Sequence, residues 1–189
     1  LLEVIFHKNR DAGALGVIGT GGMNADQLEE HIKECKSLTD KPFGVNIMLM
    51  NPDADRIAEV VRREQVAVVT TGAGNPGKYV ESWKKAGIKV FPVVSSAALA
   101  KRLAGLGADG VIAEGCESGG HIGELTTMAL VPQVCDSVDV PVIAAGGIAG
   151  GRQMAAAFVL GACGVQIGTC LLASCECPIH ENYKAAVVK

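Results

Sequence analysis

A chain of 189 residues, with 49% hydrophobic residues, 4% aromatics and 24 glycines, is long enough for one domain with an aliphatic core. Its formal charge of −3, from 17 basic and 20 acidic residues, excludes a nucleic-acid binder held by a basic surface, and its aliphatic content excludes disorder. The longest apolar runs, such as 140–145, fall far short of the ~20 residues that a membrane-spanning helix needs, so no membrane partner is expected.

Strand patterns are short, continuous and β-branched, as expected when both faces of a sheet are covered. They fall at 16–18, 43–48, 66–70, 90–94, 110–113, 142–145 and 165–167. Helix patterns lie between them. Asn24 with Gln27 reads as a capping box ahead of Leu28, Ile32 and Cys35. Ile57, Val60 and Val61 share one helical face; so do Val80 and Trp83, then Leu99, Leu103 and Leu106, and later Met154, Phe158 and Val159. Pro132 is expected in the first turn of a helix carrying Val134 and Val138.

The strings Leu106-Gly-Ala-Asp-Gly-Val111 and Leu160-Gly-Ala-Cys-Gly-Val165 repeat one device, a helix ending at glycine that turns into a buried strand. Strand starts recur every ~22–25 residues, the length of a βα unit. Seven such units predict an α/β fold, a (β/α)8 TIM-type barrel that is incomplete, favoured over an open doubly wound sheet. One interval, from Gly110 to Val142, is longer, and its excess lies in a Gly-rich loop at 115–127. Active sites of such barrels lie in the βα loops at the carboxyl ends of the strands.

That rule picks out the candidate residues. His121, between Gly119, Gly120 and Gly123, is little shielded and titrates near neutrality, so it suits proton transfer; a plain loop histidine remains the alternative. Gly146 and Gly147 after one strand, and Gly168 and Thr169 after the next, offer backbone N–H groups to a phosphate, or else make tight turns. Asn46 is a polar residue in an apolar strand and needs a partner. Gly72 opens the Gly-Ala-Gly-Asn-Pro turn, and Glu114 ends its strand beside the His121 loop, as a ligand-orienting or a structural carboxylate. The seven cysteines have no zinc-type spacing, so no metal is expected, and they read as reduced cytoplasmic thiols.

The stretch Asp40-Lys-Pro-Phe-Gly-Val-Asn-Ile-Met-Leu49, the turn Thr70-Thr-Gly-Ala-Gly-Asn-Pro76 and the run Ala113-Glu-Gly-Cys-Glu-Ser-Gly-Gly-His-Ile-Gly-Glu-Leu-Thr-Thr-Met128 resemble the FMN-dependent enoyl-acyl-carrier-protein reductase II family. Val142-Ile-Ala-Ala-Gly-Gly-Ile148 and Val165-Gln-Ile-Gly-Thr169 complete the set, and the resemblance covers residues 13–189. The wider superfamily includes the nitronate monooxygenases. The resemblance implies a single FMN-binding barrel over residues 1–189, with Gly146, Gly147, Gly168 and Thr169 at the phosphate. It places Asn46, Gly72, Glu114, Gly119 and Gly120 near the rest of the cofactor and makes His121 catalytic.

The implied reaction is reduction of a trans-2-enoyl thioester of acyl-carrier protein or coenzyme A by NADH or NADPH, in bacterial fatty-acid elongation. The implied state is a cytoplasmic homodimer. Nitronate oxidation by FMN and oxygen is the first alternative, and a non-catalytic phosphate-binding barrel fragment the second. An inosine-monophosphate-dehydrogenase-like barrel would share the glycine loops but lacks a matching cysteine loop here. Residues 1–11 do not match the family's first strand and its Gln-Gly-Gly-Met-like turn, and the family continues beyond position 189, so a barrel cut at both ends is expected.

Overall fold

The structure, a computed structural model, describes residues 13–120 and 122–189. Seven parallel strands alternate with helices in the order of a (β/α)8 barrel, of which seven βα units are present. The strands are β1 (Val17–Gly19), β2 (Gly44–Met48), β3 (Val68–Gly72), β4 (Lys89–Val94), β5 (Val111–Glu114), β6 (Val142–Ala145) and β7 (Gly164–Gln166). Each overlaps one of the seven sequence patterns. The chain divides into two compact units, one of residues up to 93 with 106–109, the other of 94–105 and 110–189.

In the first unit β1, β2, β3 and β4 pair in sequence order, with Val17 opposite Gly44, Gly44 opposite Val68 and Val68 opposite Lys89. Helix α1 (Ala25–Leu38) starts where expected: Asn24 Oδ1 accepts from Gln27 N at 2.9 Å, and Gln27 Oε1 accepts from Asn24 N at 3.0 Å. It buries Leu28, Ile32 and Cys35, and burial pushes the Cys35 thiol up to about 11, that of an inert packing residue. Helix α2 (Ala54–Arg63) buries Ile57, Val60 and Val61, and α3 (Gly77–Lys85) buries Val80 and Trp83. The Trp83 indole N–H is not stranded; it donates to the carbonyl of Ala58 at 3.1 Å. Asp109 staples β4 from outside: its Oδ2 accepts from Val90 N at 3.0 Å, while its own N–H donates to Val90 O at 2.9 Å.

In the second unit β5, β6 and β7 pair in the same manner, Val111 opposite Val142 and Ile143 opposite Gly164. Helices α4 (Ala97–Gly105), α5 (Thr127–Cys135) and α6 (Gly151–Val159) cover them, followed by the short α7 (Thr169–Leu172) and by α8 (Glu181–Val188). The core is Val94, Leu103, Val111, Leu130, Val131 and Val134 with several alanines.

Three helix expectations are corrected here. Pro132 lies in the middle of α5, because Thr126 caps that helix six residues earlier, its side chain accepting from Ala129 N; Val138 lies beyond the helix end. Leu106 falls past the end of α4 and is 45% exposed. Met154, Phe158 and Val159 do not form a buried face: Ala157 is the buried residue of α6, its small side chain letting the helix lie against β7. Among the described residues no helix is long and apolar enough to cross a membrane.

Candidate functional site

In the first unit, the carboxyl ends of β1, β2 and β3 carry the polar groups. Val45 and Ile47 are fully buried in the helix-packed core, so alternation turns Asn46 to the opposite face, where it is half-buried. Its partner is Thr70, directly opposite on β3: Asn46 Nδ2 donates to Thr70 Oγ1 at 2.8 Å. That bond fixes the amide and leaves its carbonyl oxygen as an acceptor that a ligand can use. Gly72 ends β3 with open space where a side chain would stand; no heavy atom lies within 4 Å of an added Cβ. Ala73, next along, is held at φ +53°, a strained conformation for a residue with a Cβ.

The turn after β1 was not among the expected site residues, although its Thr20-Gly-Gly-Met23 string is the same kind of signal as the later glycine pair. Thr20 is fully buried and its N–H donates to Asn46 O at 3.1 Å, while Gly19, Gly21 and Gly22 all face open space. The N-terminus of α1, however, is already engaged by protein: Asp53 Oδ2 accepts from Ala25 N at 2.6 Å.

In the second unit, Glu114 ends β5, half-buried, and burial raises its carboxyl above the ordinary value while the nearby Ser118 works against the shift. The loop that follows returns to the sheet at several points. Gly115 N donates to Ala145 O at 3.0 Å, Cys116 N to Leu125 O at 2.9 Å, and a Cβ on Gly123 would lie 2.6 Å from that of Ser95. A Cβ on Gly119 would stand 3.7 Å from Thr169 Oγ1, so the structure brings these two expected residues together. Gly120, at φ +93°, is open to its surroundings. His121 lies outside the described residues.

Gly146 and Gly147 follow β6 at φ +104° and +67°, conformations that favour glycine. Their Cβ positions are filled by the chain itself: a Cβ at 146 would lie 2.7 Å from Thr127 Oγ1, and one at 147 would lie 3.1 Å from Glu117 Cβ. Gly168 faces open space. The helices after these turns, α6 and α7, begin at Gly150 and Gly168 with no side chain capping them, unlike α1 and α5.

These features fit the FMN that the resemblance implies. No side chain caps the start of α6, so its N-terminal end is available to an anion at the turn where the resemblance expects the phosphate. Within the first unit Gly72 has an open face and Asn46 is a half-buried hydrogen-bonding group; within the second, Gly120 and Gly168 have open faces and Glu114 is half-buried.

Comparison with known proteins gives a consistent placement. The family model for nitronate monooxygenase matches residues 9–64 and 52–189. FabK from Thermotoga maritima, a solved structure, is 57% identical with a TM-score of 0.92, covering 95% of this chain and 58% of that one. A (3aS,4S,5R,7aS)-5-hydroxy-7a-methyl-1-oxo-octahydro-1H-indene-4-carboxyl-CoA dehydrogenase from Rhodococcus jostii is 41% identical over 174 residues, 92% of this chain and 49% of that protein. A nitronate monooxygenase from Paraburkholderia phytofirmans is 32% identical over 226 aligned positions, 94% of this chain and 62% of that protein.

The chain thus spans about half the length of the Rhodococcus relative. The alignments also differ in kind. That of the dehydrogenase opens no gap in this chain, since 92% of 189 residues is 174. That of the nitronate monooxygenase leaves about 48 of its positions without a counterpart here, 226 less 94% of 189.

Proposed function

The chain belongs to the nitronate monooxygenase family, a family of oxidoreductases, and from that premise we propose that its protein reduces the 2,3 double bond of a trans-2-enoyl thioester with FMN as cofactor and NADH or NADPH as electron donor. The observation that carries this reading is its similarity to FabK, an enoyl-acyl-carrier-protein reductase II, at nearly twice the identity it shares with the nitronate monooxygenase. The 41% identity to a protein named for a coenzyme A thioester supports the same substrate class, the enoyl thioester of acyl-carrier protein or coenzyme A.

When bound, FMN supplies hydride transfer, accepting from the nicotinamide and delivering to the β-carbon of the substrate. The residues of this chain hold and orient. The start of α6, with Gly146 and Gly147 in the turn before it, and the backbone at Gly168 and Thr169 take the phosphate. Asn46, fixed by Thr70, presents a carbonyl acceptor beside Gly72 in the first unit, and Gly119 and Gly120 in the second unit offer backbone without a side chain. Glu114, its carboxyl raised above the ordinary value by burial, offers a hydrogen-bonding group at the end of β5. His121 is assigned the substrate: it polarises the thioester carbonyl or delivers the proton to the α-carbon. The protein acts as a cytoplasmic homodimer in this reading.

The visible spectrum of the purified full-length protein tests the reading. Flavin bands that bleach with NADH or NADPH and return on adding a crotonyl thioester are expected. Oxygen uptake with an alkyl nitronate and no thioester turnover would move the function to nitronate oxidation, the reading that the family model's own description favours. A colourless protein that gains no flavin absorbance from added FMN would sink both.

A further inference from the structure

The loop after β5, residues 115–126, carries Gly119 and Gly120 and has little apolar packing to hold it, since Ile122 and Leu125 are 44% and 37% exposed. Polar contacts must fix its position. The strongest of them joins its early part to the first residue of α5. Glu117 Oε2 accepts from Thr127 N at 2.8 Å and from Thr127 Oγ1 at 2.9 Å. The first of these places a carboxylate on a free N–H at the helix start, and the second is charge-assisted.

The same threonine reaches the turn after β6. Thr127 Oγ1 lies 3.0 Å from Gly146 O and 3.4 Å from Ala145 O, so its one hydrogen is shared between Glu117 and the turn. A second observation links the pair to that turn independently. The spaces that side chains at 146 and 147 would fill are taken by Thr127 Oγ1 and by Glu117 Cβ. The glycine pair and the Glu117–Thr127 pair are therefore complementary surfaces, each shaped to the other.

We propose that Glu117 and Thr127 are positioning residues, a latch that holds the Gly119 and Gly120 loop and the Gly146 and Gly147 turn in one fixed arrangement on the cofactor's side of the barrel. The proposal rests on the flavin reading above for its functional consequence, but the latch itself is a property of the protein without cofactor. Neither residue touches the reacting atoms; they act through the loop and the turn.

The test compares Thr127→Val, Thr127→Ser and Glu117→Gln in the full-length protein. Hydrogen exchange is followed by mass spectrometry on the apoprotein, and FMN affinity by fluorescence titration. Loss of the shared hydroxyl in Thr127→Val is expected to speed exchange in residues 115–126 about tenfold relative to the rest of the chain and to weaken FMN about tenfold. Thr127→Ser, which keeps the hydroxyl, is expected to restore both, and Glu117→Gln, which keeps an acceptor without its charge, to fall between.

Exchange that rises uniformly over all peptides in Thr127→Val would mark a merely structural residue and overturn the proposal. So would unchanged exchange in 115–126, or failure of Thr127→Ser to restore it. If the apoprotein exchange behaves as expected but no variant and no wild-type protein binds FMN, the latch stands and the flavin reading falls.

Discussion

In the unit of β1 to β4 every helix buries at least two large side chains, Leu28 and Ile32 from α1, Ile57 and Val61 from α2, Val80 and Trp83 from α3. In the unit of β5 to β7, α4 buries Leu103 and α5 buries Leu130, Val131 and Val134, but α6 buries Ala157 alone, and α7 and α8 bury nothing. The same βα repeat is thus stabilised in two ways. The first unit relies on apolar volume and on polar staples at its margins, such as Asp109 on Val90. The second keeps an apolar core under α4 and α5 and adds close contacts at its glycine turns and the Glu117–Thr127 latch, beside the loops that carry most of the candidate site. Large side chains bury area wherever they stand, whereas a ligand approaching backbone needs glycine, which contributes no area of its own.

Three substitutions probe this contrast. Trp83→Ala removes the largest fully buried side chain and leaves the Ala58 carbonyl without its indole donor, so unfolding by denaturant should show a loss of about 4 kcal/mol. A loss below about 1 kcal/mol would mean that the first unit does not depend on its apolar volume.

Asp109→Ala should cost about 2 kcal/mol at neutral pH, because the Val90 N–H loses its acceptor. Burial acts to raise the Asp109 carboxyl, but the Val90 N–H, Lys89 and Lys84 outweigh it and hold it below its ordinary value. A depressed native pKa contributes stability that is complete above the ordinary value near about 4 and is lost as pH falls through the lower one. The difference between wild type and Asp109→Ala should accordingly be constant from about pH 7 to 5 and shrink below about pH 4. A difference that grows on acidification would contradict the assigned sign.

The smallest effect belongs to the second unit. Val159 is 88% exposed on α6, so Val159→Ser should change stability by no more than about 0.5 kcal/mol. A loss several times larger would show that this face is covered in the full-length protein.

The seven strands, the capping box at Asn24 and the enlarged loop after β5 were legible in the sequence because they depend on local rules: β-branched runs, the Asn and Gln spacing, and an interval too long for one βα unit. The apolar periodicity puts Met154, Phe158 and Val159 on one face of α6 for the same local reason, yet burial depends on what packs there, and Ala157 is the buried residue of that helix. Pro132 read as a helix start because proline is favoured there; the Thr126 cap, a contact between neighbours, set the start elsewhere.

The sequence alone therefore determined the order of elements and which residue types could approach a ligand. The tertiary structure decided which neighbours each of them has. That Thr127 and Glu117 fill the spaces left by Gly146 and Gly147, and that Thr70 holds Asn46, follows from strands and loops brought together across 19 to 30 positions of chain, a pairing no local pattern encodes.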